Sequence, residues 1–239
     1  MDDERRLLEL EIDAIYGLAS TPSTQPRRLA PSDIALAFGW SPNASVIALS
    51  QAASALIDTS DLCLAEQFVP ETEPSVVALV KHRLLEADPP SEFAASGGPS
   101  YVFPDSVPDQ HVDLPIIVSD ASGLSKARQF IRPDNWQPGE WSQLISGEIG
   151  QWAMAVDGSQ PVSICHTPAA TTAGAEAGVW TRADHRRAGL AGAVTVAWWK
   201  RERSRHQTIF YSTRSDNFAS RAVARKLGLQ PLGWLWVVK

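Results

Sequence analysis

From Leu114 to the C-terminus, strand and helix patterns follow one another with little chain between them. Leu114 to Val118 reads as a strand, with Pro115 tolerable only near its start or on a sheet edge. Ser122 to Ile131 and Pro138 to Ile145 read as helices, the first closed by Pro133. Three strand segments follow: Gly150 to Val156, Pro161 to His166 and Ala175 to Thr181. Asp157-Gly158 between the first two is a hairpin signal, because glycine accepts the positive φ of a tight turn. Gly189 to Arg203 is a helix, with Leu190, Val194, Ala197, Trp198 and Arg201 on one face. Thr208 to Thr213 has strand composition. Ser215 or Asp216 can cap a helix that ends near Gly228, and Trp234 to Val238 is a final strand. The order β-α-α-β-β-β-α-β-α-β predicts an α/β or α+β arrangement around one sheet.

The N-terminal part is less regular. Asp2 to Leu18 has helical apolar spacing, and a polar, Pro-containing link covers Thr21 to Arg28. Pro31-Ser32-Asp33 opens a predicted short helix through Phe38, Ser45 to Leu49 a short strand, and Ser75 to Ala87 a helix stopped by Pro89-Pro90. Ser91 to Asp113 is rich in Ser, Gly, Pro and Asp and holds one strand candidate, Tyr101-Val102-Phe103. A domain boundary is expected there, separating residues 1–110, of no assigned role, from 111–239.

With 44% hydrophobic residues the 239-residue chain can build a sizeable core. No apolar run approaches the roughly 20 residues that span a bilayer, and Met1 to Arg6 lacks the layout of a secretory signal. Cys63 and Cys165 make neither a disulfide framework nor a CxxC pair, so a cytoplasmic location is expected. The five histidines show no metal-ligand spacing, and no metal is expected. The net charge of −6 is unevenly distributed: residues 180–239 carry 12 Lys/Arg against 3 Asp/Glu. A basic C-terminal part on an acidic chain suits an anionic ligand, or is a solvated basic face.

One turn narrows that choice. Thr181-Arg182-Ala183-Asp184-His185-Arg186-Arg187-Ala188-Gly189-Leu190-Ala191 runs from a strand end through a basic loop into a helix. The first amides of a helix lack internal partners and carry the positive end of its dipole. Small residues let a ligand approach the backbone, and arginines add charge. Such a turn can hold a pyrophosphate.

Arg186-Arg187-Ala188-Gly189-Leu190-Ala191 resembles the Gln/Arg-x-x-Gly-x-Gly/Ala signature of the GNAT superfamily of acetyl-CoA-dependent N-acetyltransferases. Asn217-Phe218-Ala219-Ser220 and Gly228-Leu229 stand where that family carries Asn-x-x-Ala/Ser and Gly-Phe. The resemblance is firmest over 150–239. It implies a mixed, mostly antiparallel central sheet flanked by helices; residues 1–110 show no resemblance to a named family and read as an additional N-terminal α/β region. It implies that Val179, Trp180 and Thr181 meet the pantetheine arm of acetyl-CoA, that Arg186, Arg187, Ala188, Gly189, Leu190 and Ala191 hold its pyrophosphate, and that Asn217 and Ser220 lie near its far side. A small-molecule or peptide amine would attack the thioester directly. Three positions depart from the pattern: Arg187 and Leu229 replace the usual glycine and phenylalanine, and Ala224 stands where many members place a tyrosine acid.

Glu176 is the first candidate for a general base acting through water; the alternative is an exposed strand-end carboxylate. Tyr211, Ser212 and His166 are candidates for the missing acid. Cys165 and His166 are neighbours on a strand and point to opposite faces, so they form no dyad, and Cys165 reads as a buried apolar residue. Trp180 is either sheet packing or an aromatic wall of the acceptor site. A silent acetyl-CoA-binding or interaction domain is a second reading, motivated by Ala224. A third is a helix-turn-helix at Ser220 to Leu229, though strand composition follows where the recognition helix should be. No nucleic acid or membrane partner is expected, and the sequence leaves oligomeric state open.

Overall fold

The computed structural model describes residues 2–19, 26–62, 66–89 and 92–239. Thr21 to Gln25 of the polar link, and Cys63, lie outside the described residues. The chain forms two compact units: 1–101 with 212–221 and 230–239, and 102–211 with 222–229.

In the first unit, α1 (Asp2–Tyr16) is followed by β1 (Arg27–Arg28), β2 (Leu36–Trp40), β3 (Ser45–Leu49), α2 (Gln51–Leu56), α3 (Ser75–Ala87) and β4 (Ala95–Val102). The chain's last strand, β10 (Gln230–Val238), completes the order β1-β3-β2-β10-β4. β2 pairs antiparallel with both β10 and β3, while β1 joins β3 in parallel. The helix expected through Phe38 is therefore a strand. All five residues of β2 are buried, so both faces are covered and no polar alternation survives to mark it. Phe38, Trp40, Ile47 and Trp234 pack with Val77, Val80 and Leu84 of α3. The Gly- and Pro-rich stretch read as a boundary contains β4. A methyl group built on Gly98 would sit 1.7 Å from the Thr213 carbonyl oxygen. The strand therefore needs glycine for close approach, and its composition resembles a loop.

The second unit holds β5 (Ile116–Val118), α4 (Ala121–Ala127), α5 (Pro138–Ser146), β6 (Trp152–Asp157), β7 (Gln160–Ala170), β8 (Gly174–Thr181), α6 (Leu190–Glu202) and β9 (Thr208–Ser212, its last residue counted with the first unit). The final helix is α7 (Phe218–Lys226). Strand order is β9-β8-β7-β6-β5, antiparallel throughout except that β8 and β9 run parallel. The hairpin at Asp157-Gly158 forms, with Gly158 at φ 59°. Trp152, Met154 and Ile164 pack on one face with Trp136, Trp141 and Leu144 around α5, and Trp180 joins them. Strand alternation leaves small residues, Ala153, Ala155 and Cys165, for the opposite face, where α6 lies close. There the Trp198 indole N–H donates to Thr167 Oγ1 at 2.9 Å, and the Thr167 hydroxyl donates to the buried Glu202 carboxylate. The fold is mixed α/β, as the element order predicts, with mostly antiparallel pairing, as the resemblance implies. Among the described residues no helix is long and apolar enough to cross a membrane.

Candidate functional site

β8 and β9 pair only at Gly174–Thr208, Ala175–Ile209 and Glu176–Phe210. Beyond Phe210 no rung joins them, although β8 runs five residues further to Thr181. Two hydrogen bonds set the alternation along β8. The Arg182 amide donates to the Val162 carbonyl on the β7 side, and the Ala173 carbonyl accepts from Thr208 on the β9 side. Even-numbered residues therefore turn their backbone toward β7, and 177, 179 and 181 turn theirs into the gap. Val179, Trp180 and Thr181 are half-buried there, and the Thr181 carbonyl accepts from Arg186 Nε at 3.4 Å.

The gap leads to the basic turn. A short 3-10 turn, Ala183–His185, ends β8, and its carboxylate is already matched. Asp184 lies 2.7 Å from Arg182 Nε and 2.9 Å from His185 Nδ1, and these partners hold its carboxyl well below the usual carboxylate range. Arg186, Arg187 and Ala188 are exposed, so the turn is open to a ligand. Gly189 is the N-cap of α6 at φ 79°, a conformation that favours glycine, and no side chain caps the helix. The first amides of α6 thus keep their donors for something outside the helix. Leu190 is buried and anchors the helix start, while Ala191 is half-buried. Arg187, where the GNAT resemblance expects glycine, also has positive φ, 68°. One cation near this turn was not singled out from sequence. Lys226, at the end of α7, brings Nζ to 3.7 Å from where a Gly189 Cβ would lie. Only the packing of α7 could have revealed it.

Glu176 stands on the last shared rung and is 6% exposed, which removes the exposed strand-end alternative. Tyr211 follows that rung on β9 and is buried, its ring edge-on to Phe103 at 6.4 Å. His166 packs edge-on against Trp136 at 5.0 Å, and its Nδ1 lies 3.1 Å from the Gly178 carbonyl oxygen. A carbonyl can only accept, so Nδ1 carries the proton. Burial lowers the imidazole pKa to about 4, with the Gly178 bond opposing. His166 is thus neutral at pH 7. Gly178 makes room for the ring: a methyl group there would lie 2.6 Å from His166 Cε1. Cys165 is fully buried, and desolvation raises its thiol pKa well above the usual value, so it is an inert core residue. Ala224 is fully buried as well.

Ser212, Asn217 and Ser220 belong to the first unit. Ser212 lines a recess of about 260 Å³ with Tyr16, Ser96, Thr213 and Arg214. Asn217, not Ser215 or Asp216, caps α7: its Oδ1 accepts from the Ser220 amide at 3.1 Å. Gly228 ends that helix at φ 67°, and β10 follows, so no recognition helix exists for a helix-turn-helix at this place.

With an opened strand pair leading into an exposed, uncapped helix start, the comparison with known families becomes informative. Residues 147–233 match the family model described as GNAT acetyltransferase. That segment is similar to GNAT acetyltransferases. Solved structures similar to it include a GCN5-related N-acetyltransferase-like protein from Streptococcus suis, at 16% identity over 70% of this chain and 68% of that one, TM-score 0.48. Another is a putative GNAT-family acetyltransferase from Novosphingobium aromaticivorans, at 14% identity over 91% of this chain and 89% of that one, TM-score 0.47. Among curated proteins, none matches. Within the matched segment lie the gap, the turn, Glu176, His166 and all of α7.

Proposed function

We propose that the chain is an N-acetyltransferase that moves the acetyl group of acetyl-CoA onto a small-molecule or peptide amine. The observation that carries this reading is the loss of β8–β9 pairing after Glu176–Phe210, beside the exposed N-terminus of α6. The residues present fit the donor. Backbone groups of Val179 and Thr181 face an unpaired edge and can take a pantetheine arm as an added strand. Arg186, Arg187 and the amides from Ala188 to Ala191 can hold a diphosphate. On this reading residues 111–239 supply the donor site.

The thioester supplies the electrophilic carbonyl. The chain's own task is to align an amine with it and to manage two protons. Glu176, at the apex of the gap, takes the proton of the attacking ammonium through water. As nitrogen bonds to the carbonyl carbon and the carbon–sulfur bond breaks, the leaving sulfur takes a proton from Tyr211 or Ser212. His166 holds no dissociable imidazolium proton at neutral pH, so its share is that of a neutral group at the acceptor side. Asn217 is a helix cap first. The buried Ala224 offers no hydroxyl, which favours the second reading, a silent acetyl-CoA-binding domain. Two cysteines, one of them a buried free thiol, suit a reducing cytoplasm.

A free-thiol release assay over a panel of amines separates the two readings. Acetyl-CoA cleavage that depends on an added amine supports transfer. Donor binding with no amine-dependent thiol release supports the silent domain.

A further inference from the structure

We infer that His166 selects the amine: its Nε2 takes a hydrogen bond from the attacking nitrogen, and the substrate is a monoamine with an apolar body. The inference rests on the transfer reading above and names the class of amine. Its ground lies within the second unit. Gly178 follows Glu176 by two residues on β8, between Ala177 and Val179, whose backbones face the gap. His166 stands opposite Gly178 in the β7–β8 register. Its ring fills the space a side chain would take there, with Cε1 2.6 Å from a Cβ position at Gly178. The imidazole therefore covers β8 where that strand borders the gap.

With the Nδ1 proton given to the Gly178 carbonyl at 3.1 Å, Nε2 keeps a lone pair. Among the described residues no donor reaches Nε2, and the residue is only half-buried, so that lone pair is open to a ligand. An attacking amine must aim its own lone pair at the thioester carbonyl and has N–H bonds to spare. Taking one of those bonds orients the nitrogen without competing for its electrons. The surroundings set the rest of the molecule. Trp136 packs on the imidazole at 5.0 Å, and Trp152 stands opposite His166 in the β6–β7 register. Among the described residues no carboxylate pairs with His166, and Glu176 is the only acidic residue of β8. One carboxylate matches one ammonium, and a second cation on the same substrate would lose water here with no partner to replace it. A histidine whose work ends at the Gly178 bond would show in stability, and neither in KM nor in the choice of amine.

The test is thiol release from acetyl-CoA with a matched pair, n-hexylamine and 1,6-diaminohexane, on wild type, His166→Gln and His166→Phe, beside thermal melts and calorimetric titration with acetyl-CoA. The wild type is expected to favour hexylamine about tenfold or more in kcat/KM. His166→Phe keeps a ring but no lone pair, and is expected to raise the hexylamine KM about tenfold with acetyl-CoA affinity unchanged. His166→Gln, whose amide oxygen can accept, is expected to recover most of that loss. Equal use of the two amines by the wild type overturns the inference, whether or not His166→Phe folds. An unchanged hexylamine KM in folded His166→Phe also overturns it. Release with other amines but not with hexylamine overturns it and leaves the transfer reading intact, whereas no release with any amine removes both.

Discussion

His166 shows how a single residue's environment sets its chemistry. Its imidazole is pressed against Trp136 and Gly178, and its pKa falls to about 4 from an ordinary 6.5. Between those values the unfolded chain binds the proton and the folded chain does not, so stability rises with pH across that window. The contribution is complete above about pH 6.5 and is lost as pH falls toward 4, to the extent of about 3 kcal/mol. Urea midpoints of wild type and His166→Gln, measured from pH 7 to 4.5, are expected to diverge at the upper end and converge at the lower. Parallel curves would remove the buried neutral histidine. Gly178→Ala is expected to cost about 1–3 kcal/mol, since the new methyl must displace the ring. A chemical denaturation curve unchanged by that substitution would contradict the packing described.

At the scale of elements, some were legible and others were not. α3 spans Ser75–Ala87, as its apolar spacing and the prolines beyond it imply. The turn into α6 was legible because its glycine, its arginines and the end of an apolar strand are all local signals. β2 was not, because a short run buried on both faces has no period to read. β4 was hidden by glycines whose purpose is the close approach of Thr213 and Trp236. The cap of α7 was misplaced by one or two residues among Ser215, Asp216 and Asn217, all competent acceptors in sequence. Asn217→Ala is expected to lower stability by about 1 kcal/mol, with Asn217→Ser retaining most of it. Equal thermal midpoints for Asn217→Ala and wild type would remove the capping role. Arg187→Gly should relieve a left-handed residue worth about 1–2 kcal/mol yet weaken donor binding through lost charge, and opposite signs in melting and titration would display both effects.

For the whole molecule, function divides by the reach of each signal. The basic turn into α6 is contiguous in sequence, so its residues could be found there. The opening between β8 and β9 depends on where strand pairing stops, and Lys226 on how α7 packs, and neither is written in local composition. The charge asymmetry noted from composition acquires a place: the basic C-terminal part contributes Arg186, Arg187 and Lys226 around one exposed helix start.

Titration of the intact chain with acetyl-CoA, wild type beside Gly189→Glu, addresses the claim on which the rest depends. Saturable one-to-one binding by the wild type is expected, weakened at least about tenfold when a carboxylate and a strained backbone replace Gly189, with circular dichroism unchanged. No binding by the wild type, or equal affinity in the folded variant, would contradict a diphosphate held at the start of α6.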